Sequence, residues 1–157
     1  MMQSSQSQVR LADLDDVVGI SMLGHDFARH YPLDVEWELG GLITQIQGLI
    51  ASPDTVIFVA VDDDGEPFGV LVGMETGVWF APSTRIATEL AWWVDPECRG
   101  GTAALRLVRM FQDWAASRGI KHVALSSIVT DGGPTAGRFI ERQGFKLVER
   151  SYIKSEV

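Results

Sequence analysis

Apolar positions follow two rhythms along this chain, and the changes between them divide it into helices and strands. A helical spacing comes first. Leu14, Val17, Val18, Ser21 and Met22 share one face of a segment from about Ala12 to His30, which Pro32 ends. Leu39, Leu42, Ile43, Ile46, Leu49 and Ile50 form the stripe of a second helix, with Asp34 as its expected cap and Ser52-Pro53-Asp54 as its stop. The rhythm then shortens. Thr55 to Asp62 and Phe68 to Met74 are rich in β-branched residues, and Asp63-Asp64-Gly65-Glu66-Pro67 between them reads as a hairpin turn. Thr84 to Val94 is a third long strand. Helical spacing returns from about Gly101 to Ser117, where Ala104, Leu107, Val108, Phe111, Trp114 and Ala115 lie on one side and Gly119 closes the helix. His122 to Ser127 is a buried-type strand, Pro134 to Gln143 a short helix closed by Gly144, and Phe145 to Ile153 a last strand. Gln8-Val9-Arg10 supplies a short first strand.

The order is β-α-α-β-β-β-α-β-α-β, an α/β (α+β) chain of one domain spanning residues 1–157. Three consecutive strands on short turns are antiparallel neighbours. The strand–helix–strand unit from Glu89 to Ser127 is expected to be a parallel, right-handed crossover.

Composition narrows the function. The hydrophobic fraction is 46%, enough for a core, yet the longest apolar run is only Val56 to Val61, far short of a membrane span. Met1-Met2-Gln3-Ser4-Ser5-Gln6-Ser7 is polar and unlike a secretory leader, so a cytoplasmic location is expected. Cys98 is the single cysteine, which leaves no internal disulfide. His25, His30 and His122 lack ligand spacing, and Asp62-Asp63-Asp64-Gly65 lacks the distal glutamate of a calcium loop, so no metal is expected. With 13 basic and 21 acidic side chains the net charge is −8. Such a field disfavours nucleic acid and favours a cationic partner such as an amine.

One stretch carries chemistry. The strand-like run Glu89-Leu90-Ala91-Trp92-Trp93-Val94 and the turn Asp95-Pro96-Glu97-Cys98 lead into Arg99-Gly100-Gly101-Thr102-Ala103-Ala104, which opens a helix. A glycine-containing loop at a helix start aims several unpaired amides at one point, a site for phosphate. Read alone, Gly-Gly before a helix is also an ordinary turn.

This order, with this loop, resembles the GCN5-related N-acetyltransferase (GNAT) superfamily. The family's loop, Gln/Arg-x-x-Gly-x-Gly/Ala after Val-x-Pro, is matched by Val94-Asp95-Pro96 and by Arg99 through Ala104; Ala136 through Phe145 match its helix ending in Gly-Phe. The resemblance implies a mixed, mostly antiparallel sheet of six to seven strands flanked by about four helices. It implies acetyl-CoA as cosubstrate and direct acetyl transfer to a small-molecule or peptide amine, with no nucleic acid or membrane partner. Arg99, Gly100, Gly101, Thr102, Ala103 and Ala104 would hold the CoA pyrophosphate, and Trp92, Trp93 and Val94 would pair with pantetheine through their main chain. Three positions depart from the family. Thr102 replaces its inner glycine, Gly133 its asparagine, and Ile140 the tyrosine that serves as general acid.

An ammonium acceptor must lose a proton before it attacks. Glu89, in an apolar strand beside the expected carbonyl, is the candidate base; the alternative is a surface glutamate. Tyr152 on the last strand is the candidate replacement acid, and otherwise a half-buried aromatic. His30 and Tyr31, between the first two helices, and Ser127, at a strand end, are candidate acceptor contacts. Trp79-Phe80-Ala81-Pro82 reads as a loop that forms a substrate wall or a homodimer contact. Without the usual acid, a catalytically weak CoA-binding or protein-interaction module is the competing function.

Overall fold

The computed structural model describes residues 7–128 and 135–156. β1 (Gln8–Leu11), β2 (Thr55–Val61), β3 (Pro67–Val78), β4 (Ala81–Val94) and β5 (Val123–Ala124) form one sheet in that order. β1 to β4 pair antiparallel, whereas β4 and β5 pair parallel. α1 (Val17–His30) and α2 (Leu39–Ala51) cover one face of the sheet; α3 (Ala103–Ser117) covers the other, where Phe139 of α4 (Thr135–Arg142) also packs.

β2 is apolar at both parities because it is a central strand with helices on both sides. Ile57, Val59 and Val61 pack with Val17, Ile20, Leu23 and Ile46; Val56, Phe58 and Ala60 pack with Leu107, Val108, Phe111 and Ala115. α3 settles directly onto β3. A Cβ at Gly73 would overlap the Phe111 ring, so a glycine is what allows this approach. Asp13 and Asp16 form a capping box around the 3-10 turn Leu14–Asp16 that leads into α1. Arg10 grips Asp16 with two hydrogen bonds of 2.7 and 2.9 Å, which ties β1 to the helix.

Several expected elements take a different form. Glu38, not Asp34, caps α2, with its carboxylate accepting the Gly41 N–H at 2.8 Å. β3 and β4 extend until only Trp79 and Phe80 remain as the tip of their hairpin, and both rings are exposed. Ala81 and Pro82 therefore belong to β4. β5 is confined to Val123 and Ala124, and Ser126 and Ser127 lie beyond it. The last expected strand, Phe145 to Ile153, does not form. Phe145 anchors on the α3 side, and beyond it Leu147, Val148, Tyr152 and Ile153 are exposed. So short a β5 offers no edge to extend, and a lone strand without partners is unstable in water. The described residues thus hold five strands rather than six to seven. Gly133 and Pro134 lie outside the described residues.

Candidate active site

Three features lie along the second half of β4 and the loop that follows it. The first is the loop that follows it. Asp95 accepts the Glu97 N–H through its side chain, and its C=O accepts the Cys98 N–H at 2.9 Å, forming a tight turn through Pro96. Gly100 then takes φ +98°, a left-handed conformation that favours glycine. The first hydrogen bond at the α3 start is from Arg106 N–H to Thr102 C=O, at 3.0 Å. The N–H groups of Gly100, Gly101 and Thr102 take no partner among the described residues, and those of Ala103, Ala104 and Leu105 precede that bond. A Cβ at Gly101 would meet nothing within 4 Å. Gly101, Thr102 and Ala103 border a cleft of about 270 Å³ with Ser7, Asp62, Phe68 and Cys98. Open amides at a helix N-terminus beside a cleft suit a phosphate. The Thr102 side chain makes no capping hydrogen bond, so its bulk leaves the amides uncovered.

The second feature is an unfilled edge. β4 and β5 pair only at Ala87–Val123 and Thr88–Ala124, yet β4 runs on to Val94. Asp95 N–H donates to Phe68 C=O, which turns alternate residues of β4 toward β3. Trp93, opposite Val70, therefore directs its main chain to β3, whereas Val94 and Trp92 direct theirs to the open edge. Of the expected pantetheine contacts, Trp93 thus turns its main chain to β3, and its ring is buried against α1.

The third feature is Glu89. Val72 pairs with Ala91 and Gly73 with Glu89, so Leu90 is an extra residue, a β-bulge. The bulge places Glu89 opposite Gly73, on the α3 side, at the point where β5 departs. Its carboxylate accepts the Ser126 N–H at 2.8 Å. Glu89 is only 8% exposed, and burial pushes its carboxyl up to about 7, against the opposing effect of its hydrogen bonds from Ser126. It is a buried acid facing the gap, not a surface glutamate.

The remaining candidates are spread more widely. His30 is exposed, its Nδ1 lies 2.8 Å from Asp26 C=O, and its ring lies 4.9 Å from that of Trp93. Phe27, which the sequence reading passed over, meets Trp93 edge-on at 5.9 Å and stacks on Tyr31 at 5.6 Å. Its place three residues before His30 on the inner stripe of α1 was the available signal. Ser127 is exposed just beyond the gap, and Tyr152 is 87% exposed on the unpaired C-terminal segment. The Ile140 side chain is buried. Cys98 is exposed; its thiol is pushed up by partial burial and then by Asp95, Glu97 and Asp62, the opposite of an activated nucleophile.

The model of the acetyltransferase (GNAT) family matches residues 20–145. The chain belongs to this family. Among solved structures, it resembles the aminoglycoside N-acetyltransferase AAC(6')-Iy in complex with CoA, at TM-score 0.79 and 15% identity, over 99% of this chain and 98% of that one. It also resembles a Trypanosoma brucei acetyltransferase (TM-score 0.73, 19% identity, 95% and 99% covered). A third likeness is to glucosamine-6-phosphate N-acetyltransferase from Arabidopsis thaliana (TM-score 0.73, 16% identity, 94% and 96% covered). At these identities the structures show a shared GNAT fold. A search of curated proteins found no match. No helix among the described residues is long and apolar enough to cross a membrane.

Proposed function

We propose that this GNAT domain, residues 1–157, is an N-acetyltransferase that moves the acetyl group of acetyl-CoA to a primary amine by direct attack. The observation that carries this reading is Glu89, a buried carboxyl raised to about 7 at the gap where β5 leaves β4. Near neutral pH such a group both accepts and releases a proton, as a general base requires.

The chain fits the cosubstrate in two places. Gly101, Thr102 and Ala103 border a cleft, and the amides of Gly100 to Ala104 would take the pyrophosphate, with the Arg99 main chain at the loop's start. The open main chain of Trp92 and the Val94 N–H would pair with pantetheine amides, the Val94 C=O being held by Arg99 Nε–H. Acetyl-CoA supplies a thioester whose carbon the amine attacks. Val94 is about 15 Å along the strand from Glu89. The acetyl carbonyl therefore belongs near the bulge, with outward main-chain N–H groups there to polarise it. Glu89, directly or through water, removes the amine's proton; the new C–N bond forms as the C–S bond breaks. The departing thiolate takes a proton from Tyr152 or from solvent, and exposure of the Tyr152 hydroxyl favours solvent. His30, Tyr31 and Ser127 would contact the acceptor. Cys98, with its raised thiol, forms no acyl intermediate.

The structural neighbours crystallised with CoA and with a CoA–aminoglycoside bisubstrate analogue support a small-molecule amine acceptor. The deciding experiment is thiol release from acetyl-CoA over a panel of amines, wild type against Glu89→Gln. Release that falls in the variant supports the reading. CoA binding with no release for any amine would replace it with the inactive CoA-binding module, which buried Ile140 at the usual acid position favours.

A further inference from the structure

Arg99 opens the phosphate loop, but its side chain leaves it. Nε–H donates to Val94 C=O at 2.9 Å, and the guanidinium lies over the Trp93 ring, 4.5 Å from its centre. Trp93 packs with the α1–α2 side of the core, and the His30 ring lies 4.9 Å away. The loop amides instead border the cleft with Phe68, which packs on the α3 side. Arg99 therefore presents its main chain to one face of the sheet and its charge to the other, where α1 ends.

This exposed charge has no counterion among the described residues. The terminal nitrogens of Arg99 take no hydrogen bond or ion pair among the described residues, although the chain has 21 acidic side chains. Neighbouring Asp95 is already engaged with the Glu97 N–H. The indole N–H of Trp93, like those of Trp37 and Trp92, is buried and takes no acceptor among the described residues. A free guanidinium fork matches a carboxylate with two parallel hydrogen bonds. A buried donor without a partner marks a corner one acceptor short.

We propose that this corner anchors a carboxylate of the acceptor, so that the preferred substrate is an amine joined to a carboxylate by a spacer. The proposal rests on the N-acetyltransferase reading. The spacer follows from the strand: from Leu90 or Ala91 at the bulge to Trp93 is roughly 7–10 Å. An α-amino group is too close to its own carboxylate to span that distance. A terminal amine on a chain of about five methylenes, as in 6-aminohexanoate or the lysine side chain, spans it.

The test pairs each acid with its decarboxylated twin, 6-aminohexanoate with pentylamine and lysine with cadaverine, with glycine as the short control. Binding to the CoA-saturated protein is measured by calorimetry, and thiol release in parallel. In wild type each long acid binds at least tenfold tighter than its twin, and glycine gains nothing. Arg99→Ala erases the tenfold preference; Arg99→Lys, a charge without the fork, keeps part of it. Twins that bind equally or not at all, a preference that survives Arg99→Ala, or a tenfold loss of CoA affinity in that variant would overturn it. The last result would assign the guanidinium to the cofactor's phosphates. A preference seen in binding with no thiol release would instead sink the transferase reading and leave the anchor standing.

Discussion

The Glu89 carboxylate accepts the main-chain N–H of Ser126 at 2.8 Å, just past the last β4–β5 pair, Thr88–Ala124. A side chain has taken the place of a main-chain carbonyl where the parallel ladder ends. The consequence is a gap in the sheet edged by β4 and floored by an acid, the geometry on which the proposed chemistry depends.

The rate should follow the ionisation of that acid. Only the carboxylate accepts a proton, so kcat/KM is expected to rise about tenfold per pH unit toward about 7 and then level. Glu89→Gln should lower kcat/KM by about 10²–10⁴ and abolish this limb while CoA binding persists. A pH–rate profile of both proteins checks it; an unaltered profile in the variant removes Glu89 from the mechanism.

The same group makes stability depend on pH. Its folded pKa, about 7, lies above the ordinary 4.5, so its contribution is complete below 4.5 and is lost as pH rises through 7. The loss is about 3 kcal/mol at most, at about 1.4 kcal/mol per pH unit. Urea unfolding of Glu89→Gln should therefore show a flatter profile between pH 4.5 and 8. Parallel curves would mean that the carboxyl is not raised.

How much of this was legible in the chain differs by element. The apolar run of β2, the Asp-Gly turn and the stripe of α3 declare themselves, because burial alone dictates those residues. The glycine loop was legible as a phosphate site for the same kind of reason: it needs only main chain. The bulge at Leu90 was not, since Leu90-Ala91-Trp92-Trp93-Val94 is apolar throughout and a one-residue slip leaves no trace in its pattern. Asp34 and Glu38 are both plausible caps by type, and the path of the intervening segment selects Glu38. The C-terminal strand pattern of Phe145 to Ile153 was local, while a strand requires an edge that β5 does not supply. Arg99 was assigned by its place in the loop; its direction depends on Trp93, which packing alone reveals.

Two loop glycines should separate folding from binding. Gly101→Asp adds bulk and charge where a Cβ meets open space, so the melting temperature should hold while the CoA-induced rise in it disappears. Gly100→Ala forces a non-glycine residue into φ +98° and should cost about 1–2 kcal/mol. Thermal scans with and without CoA distinguish them. Full CoA stabilisation in Gly101→Asp would place the pyrophosphate elsewhere.

Gly73 and Phe111 should be coupled. Gly73→Ala drives a methyl into the Phe111 ring, a misfit expected to cost about 1–3 kcal/mol. Phe111→Leu alone loses packing, but combined with Gly73→Ala it makes room for the methyl. A double-mutant cycle should therefore return a double variant more stable than the sum of the singles, by at least about 0.5 kcal/mol. Simple additivity would mean that the two side chains do not meet.

Tyr152 offers the last discrimination, because the leaving thiolate must be protonated by something. An acid acting in the transition state contributes about 10²–10⁴ in rate. Tyr152 stands 87% exposed on a segment without strand partners, and Ile140 at the family's acid position carries no proton. Tyr152→Phe is thus expected to keep kcat within about twofold. Solvent would then be the donor, as the open edge of β4 allows. A loss of a hundredfold would show instead that the C-terminal segment closes over the gap during turnover and brings the phenol to the sulfur.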